Sequence, residues 1–594
     1  MVQRQAARLR ARLQACPPAR RARSTRPTSS TAWRQLSRIH SVELRFTSEG
    51  TDTGWCRAGA CRHAACISRK AARRRAAALH FIASLRPTFA RPVPMTPLDY
   101  VVLMVYLVGV TVIGLLAGRS KKVSLDEYFL GSRAVPWLAS AASLVATGIS
   151  CKSLIGLPGL SYKGDMTYLQ MYLPVPLAVL IAAVVFLPFY ARLRVTSVYE
   201  YLGLRFSPGV RSFASILYQI EAALITGTII AAPSLVLSEV TGLAYNVAVA
   251  ILLLLTLVYT VIGGTKAVIW TDVVQLFVFV GVPVAVIGYV AGHADGGLSQ
   301  LLKIAGQHGK LRTFDFSLDF SVEVTFWGAM LSMTCWHLAN FSITQILMQR
   351  YMTAASEKDC QRSLVVGGTG ILIMWAGLMF IGVVLYGYNV LHPGAIPGGT
   401  SADRIFPAFV FSALPPGFKG LFISAAFAAG MSTLSSMLNS MGTITLLDVW
   451  KLHFDDGVPE KTWIRRARGL TVGWGLLSFG AAFVVLNFGT VITAGIRLGT
   501  VLIGAIFGIF VLGIFTRRAT SGGVAIGAVA GMTTLIVVMA RTSISWTWYC
   551  LIGSLVTVGI GYAASLFMPA SAGAERYTFT GLPPSDEGGV KRTA

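Results

Sequence analysis

A chain of 594 residues that is 54% hydrophobic and only 13% charged, with a mean hydropathy of +0.64, cannot be a string of soluble domains. Its formal net charge of +26 suggests a nucleic-acid binder until the charge is divided along the chain. Residues 1–94 hold 20 Lys and Arg against 3 Asp and Glu, and the remainder carries 31 against 22, the modest excess that cytoplasmic loops of a membrane protein supply, so nucleic acid is excluded as a partner.

Residues 1–94 are rich in Arg, Ala and Ser, show no helical or strand period and contain no apolar core of a secretory signal. Cys56, Cys61, His63 and Cys66 do not have a zinc-site spacing, and the other cysteines (Cys16, Cys151, Cys335, Cys360 and Cys550) suggest no disulfide framework. We read this segment as a basic, disordered extension of the gene model upstream of a start at Met95, with an acid-poor transit peptide as the other reading.

From there to residue 567, apolar runs recur at the length a helix needs to cross ~30 Å of hydrocarbon. They predict an all-α polytopic membrane protein over 95–567 with about thirteen transmembrane helices: 99–118, 137–160, 168–190, 213–238, 243–262, 268–291, 322–347, 364–388, 417–446, 470–488, 494–515, 522–540 and 545–567. Residues 568–594 form a tail. Lys and Arg collect after each odd-numbered span through the eleventh, as at Arg192 and Arg194, Arg350 and Lys358, and Arg465 and Arg466. By the positive-inside bias the first span starts outside and the C-terminus is cytoplasmic, in a cell membrane, the inner one if the source is bacterial. An outside N-terminus conflicts with exporting the basic segment before Met95, which is a second reason to place the start there.

Two spans resemble broken helices. One contains Ala146 through Ser153 followed by Gly156, Pro158 and Gly159; the other contains Thr334 through Ser342. They lie five spans apart, so each opens a group of five, 137–291 and 322–515, and an odd number of crossings inserts the second group upside down. Inverted repeats with unwound first helices are a common plan of secondary transporters. The ninth span adds six polar residues in nine, Ser432, Thr433, Ser435, Ser436, Asn439 and Ser440, with no formal charge between Lys419 and Asp448. Positions 432, 435 and 436 share one helical face, which makes either a column of hard oxygens for a small cation or a close contact between helices built on small residues.

In chain order, Asp126-Glu127-Tyr128-Phe129-Leu130-Gly131, Ser150 to Gly156 with Pro158-Gly159, Thr196 to Leu202 with Arg205-Phe206, Gly263-Gly264-Thr265 through Asp272 with Gln275, Gln349-Arg350, and the run 428–440 resemble the sodium:solute symporter family. The resemblance implies a leucine-transporter-type five-plus-five inverted repeat and alternating access driven by a sodium gradient, with Na+ as the coupling ion. It implies a principal sodium site at Ala146, Ile149, Ala429, Ser432 and Thr433, and a second at Ser432, Ser435, Ser436 and Asp272. A carboxylate facing hydroxyls within a membrane is usually functional, although Asp272 could instead pair with Lys266 or Arg350. The positions matching the family's substrate cavity are Ser150, Ser153, His337, Asn340 and Phe341, with Gln170 from the third span.

A sugar is disfavoured, because span 364–388 has no Lys where the sodium–sugar relatives place one. Tyr218 to Glu221, Thr226-Gly227, Ala232 to Leu235 and Phe314-Asp315-Phe316 resemble the branch that carries monocarboxylates, iodide and vitamins. Lys152, in the first broken helix, could meet a substrate carboxylate or pair with Glu221 or Asp165. His337 could be a satisfied core histidine or a ligand. The expected function is sodium-coupled import of a small organic anion, the partners being the solute, sodium and the lipid bilayer. The alternatives are a neutral solute such as proline or a polyol, or a membrane sensor or channel. A sensor would need an output domain after the spans, and no span holds a nucleophile–base pair that would indicate an enzyme.

Overall fold

The computed structural model describes residues 95–119, 124–455, 457–487, 489–569 and 574–581, the side chains of 485–498 and 574–575 excepted. All of them belong to one compact unit, Phe89–Ala594. The extension expected over 1–94 lies outside the described residues, as does most of the expected tail.

Among the described residues the secondary structure is helical and contains no strand. In chain order the helices are α1 (Pro97–Ala117), α2 (Leu125–Leu130), α3 (Trp137–Gly148), α4 (Cys151–Lys163), α5 (Thr167–Leu193), α6 (Glu200–Arg205), α7 (Pro208–Thr241), α8 (Tyr245–Gly292) and α9 (Gly297–Gln307). They continue with α10 (Thr334–Ile343), α11 (Gln345–Tyr351), α12 (Glu357–Leu391), α13 (Ala402–Ala413), α14 (Phe418–Ile444), α15 (Glu460–Asn487), α16 (Gly489–Phe515), α17 (Ser521–Arg541) and α18 (Tyr549–Leu566). Every expected span falls on one or two of these helices. Their outer faces are apolar and exposed, as at Val105 of α1 and Phe277 of α8, which is the surface a bilayer covers.

Both broken spans are broken, one of them not where the sequence suggested. Helix α3 ends at Gly148 and α4 starts at Cys151, with Ile149 and Ser150 in extended conformation between them. In the second, Thr334–Ile343 is continuous helix and the break falls at Thr344, at φ −90° and ψ 128°. The polar run Thr334 to Ser342 misled because Ser342 and Thr334 return their hydroxyls to carbonyls one turn back, which a continuous helix accommodates. The fifth and sixth expected spans are the two arms of α8, which bends at Gly264. At φ +58° and ψ −152° that residue must be glycine, and a Cβ there would lie 2.4 Å from the Tyr128 carbonyl oxygen.

Helix α14 is the centre. From Phe422 to Ile444 every residue is buried, against helices α1, α3, α7, α8 and α15. A helix that touches no lipid can carry hydroxyls, provided its neighbours satisfy them. One buried carboxylate fixes its start. Asp99 Oδ2 accepts from Thr96 N and Oγ1 to cap α1, while Oδ1 accepts from Gly417 N at 2.8 Å and Gly420 N at 3.0 Å to cap α14. At the other end Asp448 accepts from Arg211 Nε at 2.7 Å and from Ser197.

Candidate functional site

The unwound Ile149–Ser150 link frees carbonyls that a continuous helix would consume, and α14 lies across them. Ser432 Oγ donates to Ala146 O at 2.9 Å and lies 3.3 Å from Ala429 O. Thr433 Oγ1 lies 3.1 Å from Ala429 O, 3.3 Å from Thr147 O and 3.5 Å from Ile149 O. All five groups expected at the principal cation site therefore meet. Hard oxygens at roughly 2.4 Å around a cation stand about this far from one another, so the donor set fits a small hard ion.

The second expected group comes together in part. Asp272 is fully buried on α8; its Oδ2 accepts from Ser143 Oγ at 2.5 Å and lies 3.4 Å from Thr147 Oγ1, which in turn is 3.0 Å from Ser436 Oγ. Oδ1 has no partner among the described residues. Ser435, by contrast, donates to the Ser432 carbonyl of its own helix at 3.1 Å. Sequence reasoning missed Ser143 and Thr147, although both lie within one turn of Ala146 on the same helix. Arg350 is buried and makes no hydrogen bond among the described residues, yet its charge and that of Asp272 act on each other, so the expected alternative of a pairing with Arg350 holds at longer range than a salt bridge.

Asn439 and Ser440 belong to neither group. Asn439 Nδ2 donates to Thr265 Oγ1 at 2.7 Å, Gln349 Nε2 donates to Phe129 O at 2.7 Å and lies 3.0 Å from Thr265 Oγ1, and Thr265 donates to Phe129 O at 2.6 Å. Four segments singled out in the sequence thus form one structural latch of α2, α8, α11 and α14.

Beside the cation donors lies a cavity of about 310 Å³, within the range of small-molecule sites. Ser150, Lys152, Ser153, His337, Asn340 and Phe341 all line it, as expected, and so do Thr147 and Thr433 of the cation-site donors. One wall is aromatic, where Tyr172 stacks on Trp375 with ring centroids 3.6 Å apart. His337 Nε2 donates to Met171 O at 2.8 Å, so the ring is anchored and still faces the cavity.

Two expectations need correction. Gln170 is absent from the lining: its Nε2 donates to Thr167 O and its Oε1 accepts from Asp315 N, so it ties down a loop. Lys152 lines the cavity and is exposed rather than buried, and the opposite charge acting on it is Asp403 of α13, not Glu221 or Asp165. A further wall, not expected from the sequence, is made by α7, where Tyr218, Glu221, Ile225 and Thr228 recur at helical spacing.

An inverted pair of broken helices, with a cluster of hard oxygens opening onto a solute-sized cavity, defines a cation-coupled secondary transporter. Comparison with known proteins narrows this. The model of the sodium:solute symporter family matches residues 128–532. The chain is 33% identical over 474 residues to the sodium-dependent multivitamin transporter of Oryctolagus cuniculus, covering 79% of this chain and 72% of that one. It is 31% identical over 442 residues to the human sodium-coupled monocarboxylate transporter 1, covering 73% and 72%. Among solved structures, a substrate-bound, outward-open Na+-coupled sialic acid symporter superposes with a TM-score of 0.74 at 26% identity, over 80% of this chain and 99% of that one. The chain belongs to the sodium:solute symporter family: it is a multi-span membrane protein of leucine-transporter-type fold that couples solute movement to Na+, and it is not an enzyme.

Proposed function

We propose that the protein imports a small organic anion of the monocarboxylate kind with sodium, by alternating access. The observation that carries this reading is that Thr433 belongs to both sites, its hydroxyl standing among the cation oxygens while its side chain lines the cavity. A cation there organises the α3–α4 break, and the break forms one side of the solute chamber, so ion and solute stabilise the same arrangement. Ala146, Ile149, Ala429, Ser432 and Thr433 hold the principal sodium. Asp272, Ser143, Thr147 and Ser436 hold a second, with Ser435 supporting the helix turn between them.

The anion preference is supported by Lys152, a cation in the cavity lining, and by relatives named for monocarboxylates and sialic acid. Among the described residues α12 contributes Ile371 and Trp375 to the cavity, which offer no cation for a sugar hydroxyl. The transporting unit is 95–567, with repeats over 137–291 and 322–515, its start outside and its C-terminus cytoplasmic in the cell membrane. Uptake of labelled carboxylates, sugars and polyols into proteoliposomes tests the reading. Carboxylates should accumulate with an inward sodium gradient and Lys152→Ala should weaken their uptake at least fivefold; preferential uptake of a polyol or sugar would overturn it.

A further inference from the structure

Beyond Ile444, helix α14 continues as a π-helix, Thr445–Trp450, and a last turn, Lys451–His453. Between this continuation, α7 and α15 lies a groove of about 430 Å³ on the outer surface. Ile216, Ile220 and Leu224 of α7 form one wall and are exposed, while Val449 and Trp474 form the other. The three α7 residues cover two turns, ~12 Å of helix, which is most of the ~15 Å that one leaflet contributes to the hydrocarbon. The polar atoms of the groove are spent on one another. Trp474 Nε1 donates to Thr445 Oγ1 at 2.9 Å, Thr445 Oγ1 lies 2.5 Å from Gln219 Oε1 and 2.7 Å from Met441 O, and Gln219 Nε2 donates to Ser215 O at 3.2 Å. A guest therefore meets hydrocarbon and no unmet hydrogen bond, which suits an acyl chain and not a polar solute.

The foot of the groove is cationic. One turn past Ile216 on α7 and one past Val449 on the other wall, Ser212 Oγ and His453 Nε2 lie 2.8 Å apart and close it. In the adjoining turns the Arg466 guanidinium lies 5.2 Å from the Trp450 ring and 4.6 Å from the Trp463 ring, and Lys451 Nζ lies 5.6 Å from the Trp463 ring. Lys451 makes no hydrogen bond or ion pair among the described residues. The acids nearby are engaged: Asp448 by Arg211 and Ser197, Asp455 Oδ1 by Gly457 N, and Glu460 Oε1 by Leu125 N. Tryptophan and the exposed Phe454 mark the level of the lipid headgroups, at an end of the span where Lys and Arg collect.

We propose that this groove holds one phospholipid with an anionic headgroup, its acyl chain against α7 and its phosphate received by Lys451 and Arg466. Charge complementarity selects the headgroup, because a zwitterionic lipid brings its own ammonium to a cationic foot and an anionic one does not. The lipid ties the far end of the helix that carries the cation donors to α7 and α15. Nothing in the site depends on which solute is carried. Native mass spectrometry of the full chain, released from micelles holding phosphatidylglycerol and phosphatidylcholine in equal amounts, tests the assignment. The wild type should keep one phosphatidylglycerol at least fivefold more often than one phosphatidylcholine. Lys451→Gln combined with Arg466→Gln should bring that preference below twofold. Ala223→Phe, which fills the groove from α7 and leaves the cations in place, should lower retention of both lipids at least fivefold. Each variant should keep the sodium concentration for half-maximal thermal stabilisation within twofold of the wild type, which shows that it is folded. Equal retention of the two lipids by the wild type, undiminished retention in Ala223→Phe, displacement of the lipid by inorganic phosphate, or a second copy of the chain held in place of lipid overturns the proposal.

Discussion

Ser432 and Thr433 are adjacent, yet each addresses a different carbonyl of the unwound link, Ala146 for one and Ile149 for the other. Removing either hydroxyl deletes one cation oxygen and leaves the helix intact. Ser432→Ala and Thr433→Ala should each raise the sodium concentration for half-maximal uptake about tenfold, ~1.4 kcal/mol, as measured by sodium titration at saturating solute. Asp272 is a separate case, since Oδ1 has no hydrogen-bond partner among the described residues and Oδ2 holds Ser143. Asp272→Asn keeps the shape and removes the charge. The sodium-to-solute stoichiometry from reversal potentials should fall by about one ion, and an unchanged stoichiometry would refute the second site. These positions show how far residue types can be read. Ser432, Thr433, Ala146 and Ile149 were legible because hydroxyls in an apolar helix stand out and the family motif names their partners. Ser143 and Thr147 were not, because a Ser and a Thr in a small-residue helix look like packing until the carboxylate opposite them is located.

At the scale of elements, the polar run of α14 divides its work, with ion donors in its first half and a structural latch in its second. Asn439→Ala should leave sodium affinity within twofold and lower the melting temperature, because Thr265 Oγ1 would lose the hydrogen bond it accepts from Asn439 Nδ2; such a bond is worth ~0.5–1.5 kcal/mol. The cap at Asp99 serves two helices with one carboxylate, so Asp99→Ala should cost about twice a single cap, ~2 kcal/mol in all, read as a loss of thermal stability without loss of sodium specificity. Gly264→Ala should be more severe, since it combines forbidden backbone angles with contact against the Tyr128 carbonyl. The sequence located both broken spans but misjudged the second break by two residues or more. Hydroxyls returned to the preceding turn, as at Ser342 and Thr334, have the same composition as hydroxyls that mark unwinding.

Across the whole molecule, apolar runs and the distribution of Lys and Arg made the membrane class and the order of spans legible, because the bilayer imposes a length and a charge bias on every crossing. The solute chamber was less so. It is lined from α7 and α12 as well as the broken helices, and only the fold brings Glu221, Trp375 and Lys152 around one space. Lys152 shows the limit most clearly: the sequence offered Glu221 or Asp165 as its partner, whereas the opposite charge acting on it in the fold is Asp403 of α13, a helix far along the chain. Ion and solute sites meet at Thr433 and the α3–α4 break, so on the proposed function coupling must depend on those oxygens and not merely on an intact fold. The most direct measurement is uphill accumulation of a carboxylate by proteoliposomes holding the wild type or a Ser432→Ala, Thr433→Ala double variant, with sodium or potassium as the external cation. Accumulation above the external concentration is expected only for the wild type in sodium, with the double variant still folded and reduced to equilibration. Equal accumulation in potassium, or a double variant that concentrates solute as well as the wild type, would contradict it.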